Sequence, residues 1–309
     1  MHLLITGSHG FVGTNLVRAL SPHHTIYALS ASSTHIDGVH RCFHWNDLSL
    51  LPQVDAIIHL AAVVHDTDNR HSEQHYHDIN FGLTQRIFDH FCRSSARIFI
   101  HFSSVAAAAH EVQDILTEDV TPAPLGAYGT TKLAAEQYIS QHTPSHKQVY
   151  ILRPSMIYGV GCKGNLPLLC NLLRSGIPYP LGSFDNRRTF TSIDNVSFVV
   201  DSLLTTSIPS GIYNLCDDES ISTASLVALI YTTLGRKPRV WHINKQLIYT
   251  LARMGTWLHL PFNKQRLDKL TGNFRVSNNK IKTALGIDSM PAHTHQAIVS
   301  AIQYFKEHH

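Results

Sequence analysis

Ser104 closes the apolar run ARIFIHFSS, and about two dozen residues later the segment YGTTK sets Tyr128 and Lys132 four positions apart. On a helix, that spacing puts a phenol and an ammonium on one face. A serine hydroxyl at a nearby strand end could then meet the same substrate oxygen. A tyrosine ordinarily holds its proton to about pH 10. A neighbouring cation and a hydroxyl donor both favour the phenolate, which turns the group into a base near neutral pH. Such a base suits an alcohol that loses a proton while hydride leaves its carbon. YxxxK pairs also stand on ordinary surface helices, so the reading depends on a place for a hydride carrier.

That place is offered by TGSHGFVG, residues 6–13, between the apolar Leu3, Leu4 and Ile5 and the helix-like FVGTNLVRAL. A turn from a strand into a helix presents unpaired N–H groups and the positive end of the helix dipole, which suits a pyrophosphate. Gly7, Gly10 and Gly13 permit a tight turn, close approach of the phosphates and close helix-to-strand packing. The spacing is GxxGxxG rather than GxGxxG, and alone it also marks an ordinary strand-to-helix turn.

The elements that must position these groups alternate along the first half. HLLIT, TIYALS, VHRCFHW, DAIIHLA, ARIFIHFSS and QVYILRPS are strand candidates, with GFVGTNLVRALS, NFGLTQRIFDHFCRSS and YGTTKLAAEQYISQH as helices between them. Continuous apolar strands alternating with helices predict a doubly wound parallel sheet, whose ligands lie at the carboxyl ends of the strands. After about Pro154 glycine and proline rise, and short strands mix with helices. Residues 1–154 are therefore expected to form a dinucleotide-binding domain, with about 188–215 returning to it. Residues 155–309 are expected to be mainly a smaller, partly interleaved α/β substrate lobe.

Composition narrows the classes. At 309 residues, 43% hydrophobic, the chain can bury a large core, and a net charge of +3 with no basic stripe argues against a nucleic-acid partner. The 23 histidines make the surface more cationic in mild acid. His71, His75 and His77 in HSEQHYH lack the HExxH pattern and read as a solvated face, so no metal is expected. Five scattered cysteines without CxxC suit reduced thiols, and no secretion signal is read at the amino terminus, so a cytoplasmic location is expected. Leu247–Leu260, interrupted by Arg253 and His259, is too short to cross a bilayer and reads as a buried or interface helix.

Seven ordered motifs, TGSHGFVG, DAIIHLAA, SSVA, YGTTK, LRPSMIYG, RTFTSIDNV and VSNNKIKTALG, span essentially the whole chain. In them the sequence resembles the extended short-chain dehydrogenase/reductases that act on nucleotide sugars, the NAD-dependent epimerase/dehydratase family that includes UDP-glucose 4-epimerase. The resemblance implies a Rossmann-like sheet with NAD or NADP as cofactor. It makes Ser104, Tyr128 and Lys132 the catalytic serine, acid/base tyrosine and ribose-binding lysine. Gly7, Gly10, Phe11, Val12 and Gly13 would hold the pyrophosphate, and Asp47 and Leu48 would meet the adenine. Leu60, Ala61 and Ala62 would line the groove, with Asn80 behind them. Arg153 and Pro154 begin the turn into the substrate lobe, with Ser155 and Tyr158 near the nicotinamide. Asn165, Leu166, Pro180 and Leu181 would contact the nucleotide of the substrate, and Arg188 would clamp its diphosphate, for which a guanidinium fork is suited.

Three departures from the family pattern matter. Where dehydratases carry an acidic pair after the active-site serine, this chain has Val105 and Ala106, which disfavours a 4,6-dehydratase. At the end of the second strand, in LSASS, Ser30, Ser32 and Ser33 stand where an aspartate would grip the adenosine ribose of NAD, so NADP stays open. Ala107 and Ala108 replace a larger wall residue, and a roomier sugar pocket that admits an N-acetyl group is expected from this. The reading is hydride transfer at C4 of a UDP-linked hexose, by a 4-epimerase or a 4-ketosugar reductase, in surface polysaccharide synthesis. The resemblance also implies a homodimer formed through residues 80–92 and 128–141, without membrane insertion. The alternative is a non-catalytic NAD(P)-binding regulatory or scaffold protein of the same fold.

Overall fold

The computed structural model describes the chain except Ser33, 65–71, Gln113, Lys163, His259, 261–262 and His309. Ser33, His71 and His259, singled out above, lie outside the described residues. Its main sheet is built from β1 (His2–Thr6), β2 (Thr25–Ser30), β3 (Arg41–His44), β4 (Ala56–His59), β5 (Ile98–Phe102), β7 (Gln148–Pro154) and β10 (Gly211–Leu215). The strands are parallel, in the order β10-β7-β5-β4-β1-β2-β3. Successive connections lead away from β1 in opposite directions, which leaves a crevice at the carboxyl ends of β1 and β4.

The continuous apolar runs follow from burial on both faces. β4 and β5 are buried along their whole lengths. Leu3 and Ile5 pack with α1 (Phe11–Leu20) and α6 (Ile193–Thr205), while Leu4 faces α3 (Thr84–Arg93) and α4 (Gly126–His142). The helix before α3 begins as α2 (Glu73–Tyr76) and passes through a π-helical stretch, His77–Leu83. Residues 193–215 thus supply a helix and an edge strand to the large sheet.

The remaining elements form a smaller lobe. β8 (Met156–Tyr158), β9 (Arg188–Ser192) and β11 (Ser220–Ile221) make a three-stranded sheet. It is covered by α5 (Asn165–Arg174), α7 (Thr223–Thr233) and α11 (Thr294–His308) around Phe190, Ile230 and Ile302. α8 (Lys245–Trp257) and α9 (Lys264–Thr271) enclose a further small core with Leu181 and Phe184. β12 (Arg275–Val276) pairs with β6 (Ile115–Leu116), and α10 (Asn279–Leu285) packs back on the main sheet. Among the described residues no helix is long and apolar enough to cross a membrane.

Buried Asp217, just past β10, joins the two parts. Its carboxylate accepts from Tyr158 Oη (2.7 Å), the Ser192 N–H (2.8 Å) and Asn195 Nδ2 (2.7 Å). Burial raises its pKa, and these donors pull it back. Asp217→Ala removes an acceptor shared by three buried donors and leaves the Ser192 N–H without it, and thermal or urea unfolding should show a loss of about 2–4 kcal/mol. A variant as stable as the parent would show that these bonds do not hold the lobes together.

Candidate active site

The glycine turn has the shape a dinucleotide needs. Gly7 lies in the left-handed region at φ 70°, and a Cβ on it would stand 2.9 Å from the Ala61 nitrogen. A Cβ on Gly13 would stand 2.3 Å from the Gly7 carbonyl oxygen, so the first turn of α1 can approach β1 only without a side chain there. Gly10 caps α1 with no side-chain hydrogen bond, and no acid sits in the first turn, which includes Phe11 and Val12. The Ser8 hydroxyl is buried without a partner among the described residues. A backbone cradle at a helix amino terminus, free of carboxylates, fits a pyrophosphate.

Neighbouring strand ends bring the other cofactor candidates to this crevice. Thr6 pairs with His59, His59 with His101, and Phe102 with Leu152. Gly7, Leu60 and Ser104 therefore follow the ends of three adjacent strands, and Pro154 closes a fourth. Thr6 Oγ1 accepts from the N–H groups of Leu60 and Ala61, both at 3.1 Å, fixing the loop that continues through Ala62. Buried Asn80, within the π-helical stretch, accepts from Val63 N at 2.8 Å and donates to Val63 O at 3.0 Å. The same amide reaches Thr131 on α4 at 3.4 Å, so one side chain ties the groove loop to the helix of Tyr128 and Lys132.

The catalytic candidates converge as the spacing predicts, with one change of roles. The Ser104 hydroxyl accepts from Ala106 N at 3.1 Å, and its side chain lies close enough to the Tyr128 phenol to favour its ionised form. Gly129 allows this approach, since a Cβ there would lie 2.5 Å from the Ala106 carbonyl oxygen. Burial pushes the Tyr128 pKa up; Ser104 draws it back, and Tyr76 opposes. The sequence reading assigned the pull toward phenolate to Lys132 and Ser104 together. In the structure the Lys132 ammonium donates to Phe102 O at 2.8 Å, and Ser104 is the group favouring the phenolate.

Lys132 sits in a setting that the spacing did not reveal. It is fully buried, and burial holds its pKa down to about 8 against an ordinary 10.5, with Glu136 acting in the opposite direction. Glu136, one turn along α4, is committed elsewhere. Arg153 grips it through Nε at 2.9 Å and Nη2 at 2.5 Å, and Ser103 donates to it as well. Beside the lysine, buried His59 is held at a pKa of about 3 by burial and by Lys132, and buried His101 well below its usual range for the same reasons. Both imidazoles stay neutral. Sequence reasoning missed Tyr76, Ser103, Glu136 and the two histidines. Glu136, at i+4 from Lys132, was the one signal available.

The adenosine end has no acid at Ser30, whose hydroxyl turns back to the Ser32 carbonyl. Arg41 pairs with Tyr27, three positions before the ends of β2 and β3, so it stands at the far end of those strands from a 2′-phosphate. Asp47 accepts from His44 N at 3.2 Å, which fixes the turn carrying half-buried Leu48.

The substrate-side candidates are more dispersed. Ser155 Oγ bonds Thr191 Oγ1 at 2.8 Å, joining β8 to β9. Tyr158, expected near the nicotinamide, spends its hydroxyl on Asp217 and the Thr294 carbonyl and acts as a joint instead. Asn165 and Leu166 line an apolar cavity of about 70 Å³ with Met156, Leu169 and Phe190. That volume is too small for a nucleotide. Pro180 is exposed, whereas Leu181 is buried in the core beneath α8, so its side chain cannot edge a base pocket. Half-buried Arg188 donates from Nε to Gly272 O at 3.1 Å and lies beside Tyr179, whose pKa burial raises to about 12. Ala107 and Ala108 are fully buried, Ala108 against Val105 and Leu116, so they line no roomier pocket. Among the described residues no three His, Cys, Asp or Glu side chains are grouped as metal ligands.

Residues 3–216 match the model of the NAD dependent epimerase/dehydratase family, and the chain belongs to that family. It is 29% identical over 308 residues to the UDP-glucose 4-epimerase of Vibrio cholerae, covering 92% of this chain and 89% of the relative. It is 25% identical over 294 residues to the N-acetyl-alpha-D-glucosaminyl-diphospho-ditrans,octacis-undecaprenol 4-epimerase of Escherichia coli O157:H7, covering 91% and 84%. Its fold matches that of the UDP-glucuronic acid 4-epimerase of Bacillus cereus, solved with UDP-glucuronic acid and NAD. The TM-score is 0.77 over the whole of both chains at 21% identity. The family's cofactor is NAD, and the glycine cradle above fits it.

The depressed Lys132 pKa gives a test. Between pH 8 and 10.5 the unfolded chain holds a proton on this lysine that the folded chain has released. This group therefore makes stability rise across that window and costs about 3 kcal/mol below it. In cofactor-free protein, Lys132→Met should flatten that part of the stability–pH curve, and with NAD supplied the same variant should lose turnover. An unchanged slope between pH 8 and 10.5 would refute the buried, weakened ammonium.

Proposed function

We propose that the protein is a 4-epimerase of a UDP-linked hexose, working in the cytoplasm on sugars destined for surface polysaccharide. The observation that carries this reading is the placement of Ser104 beside Tyr128, on the helix of buried Lys132, at the strand end that adjoins the glycine cradle. The 4-epimerase relatives support the reaction class, and the undecaprenol-linked relative supports the polysaccharide setting.

In this reading NAD, when bound, would supply the hydride acceptor and donor for C4 of the sugar. Tyr128 takes the C4 hydroxyl proton, with Ser104 donating to the same oxygen and holding the phenol in line. Once the C4 ketone has presented its other face, Tyr128 gives the proton back. Lys132 holds the nicotinamide ribose, while Arg188 holds the substrate diphosphate. Gly7, Gly10, Phe11, Val12 and Gly13 carry the pyrophosphate; Ser30, Asp47, Leu48, Leu60, Ala61, Ala62 and Asn80 form the rest of the groove, closed by Pro154 and Ser155. Asn165, Leu166 and Pro180 reach the nucleotide through motions of the smaller lobe or through their backbones. Val105 and Ala106 supply no carboxylate after Ser104, which speaks against dehydration. The dinucleotide-binding part comprises 1–154 with 188–215, and a homodimer forms through 80–92 and 128–141.

A second reading, a 4-ketosugar reductase, is favoured by one feature. Without a carboxylate at Ser30 the adenosine ribose is held more weakly, and a reductase must exchange its cofactor. Purified protein that releases stoichiometric NAD on denaturation indicates the epimerase; an empty site that takes up added NADH indicates the reductase. Tyr128→Phe should lower turnover on UDP-glucose or UDP-N-acetylglucosamine by about 10²–10⁴-fold. Unchanged turnover in that variant would mean that Tyr128 is not the acid/base.

A further inference from the structure

We propose that the outer face of α8 docks the protein on an anionic lipid bilayer. Ile248, Ala252 and Gly255 are buried beneath the helix. Leu247, Leu251, Met254 and Leu258, at i, i+4, i+7 and i+11, share the flank next to that buried face, about a quarter-turn round the helix. Each is about half exposed, and Trp257 at the edge of this stripe is 80% exposed. A helix that buries one face and leaves a second leucine-rich stripe in water has a surface that remains to be covered.

The charge around the stripe identifies what covers it. Residues 236–270 hold eight lysines and arginines against a single carboxylate, Asp268. The segment alone carries +7, so the rest of a chain of net charge +3 is negative. Arg236, Lys237, Arg239, Lys245, Arg253 and Lys264 are exposed. A second copy of this chain would have to set the same cations against themselves across a two-fold axis, which opposes that occupant. An anionic headgroup layer attracts the cations, while the leucines and tryptophan enter the boundary of the acyl chains. Exposed Trp241 precedes α8, in a segment whose N–H bonds the Tyr179 carbonyl at 2.8 Å. Indole rings suit the headgroup level of a bilayer. The helix is too short to span, so attachment is peripheral and reversible.

This inference is independent of the proposed reaction, because its test reads binding rather than turnover. Full-length protein is mixed with vesicles of phosphatidylglycerol and phosphatidylcholine, or of phosphatidylcholine alone, and followed by co-sedimentation and by tryptophan emission. Binding to the anionic vesicles with a blue shift is expected. It should weaken about tenfold or more when salt rises from roughly 0.05 to 0.5 M. Leu251→Glu with Trp257→Glu should abolish the binding, and Arg236→Glu with Arg253→Glu should weaken it, both pairs retaining circular dichroism and turnover. No binding to the anionic vesicles overturns the proposal. So does a concentration-dependent dimer that Leu251→Glu disrupts in place of vesicle binding, since the face would then belong to a second copy.

Discussion

The buried ion pair between Glu136 and Arg153 is the contact on which the rest of the site depends. Glu136 belongs to α4, Arg153 to β7, and Ser103, which also donates to Glu136, follows β5. Three elements far apart in the chain are thereby locked in one register. Such a pair contributes little net stability, because two charges must leave water; losing one partner leaves the other buried and uncompensated. Its value here is geometric. It fixes the rotation of α4, and with it the direction in which Tyr128 and Lys132 point.

The same contact shapes the electrostatics. With Glu136 held by Arg153, Lys132 has no carboxylate bonded to it among the described residues and rests on the Phe102 carbonyl among neutral imidazoles. Burial therefore dominates its protonation. A cation that costs free energy in the empty fold becomes favourable when a polar ribose and a nearby phenolate enter, so the site is strained until occupied. Ser104 performs the complementary task, offsetting part of the rise that burial gives the Tyr128 phenol.

The smaller lobe is held by polar joints rather than by one continuous core. Asp217 receives Tyr158, Ser192 and Asn195, and Asp218 receives Lys282 and Asn278, each at 2.8 Å. Directional bonds of this kind fix the lobe's orientation at the mouth of the crevice. The apolar clusters on either side are separate and can each repack around them.

How much of this was legible depends on the range of the interaction. The parallel sheet, the glycine turn and the shared helical face of Tyr128 and Lys132 follow from local periodicity and backbone sterics, so the chain determines them within a few residues. Ser104 at a strand end was legible for the same reason. The partner of each hydroxyl and charge was not. Lys132 bonds Phe102, 30 positions back, and Tyr158 bonds Thr294, 136 positions on. Likewise the pattern of Leu247–Leu260 showed an apolar helix, but only the packing of Ile248, Ala252 and Gly255 decided which leucines were left outside. Local pattern states which faces are apolar and which side chains can react. Tertiary structure alone decides which of them meet, because that choice is made by burial across the whole chain.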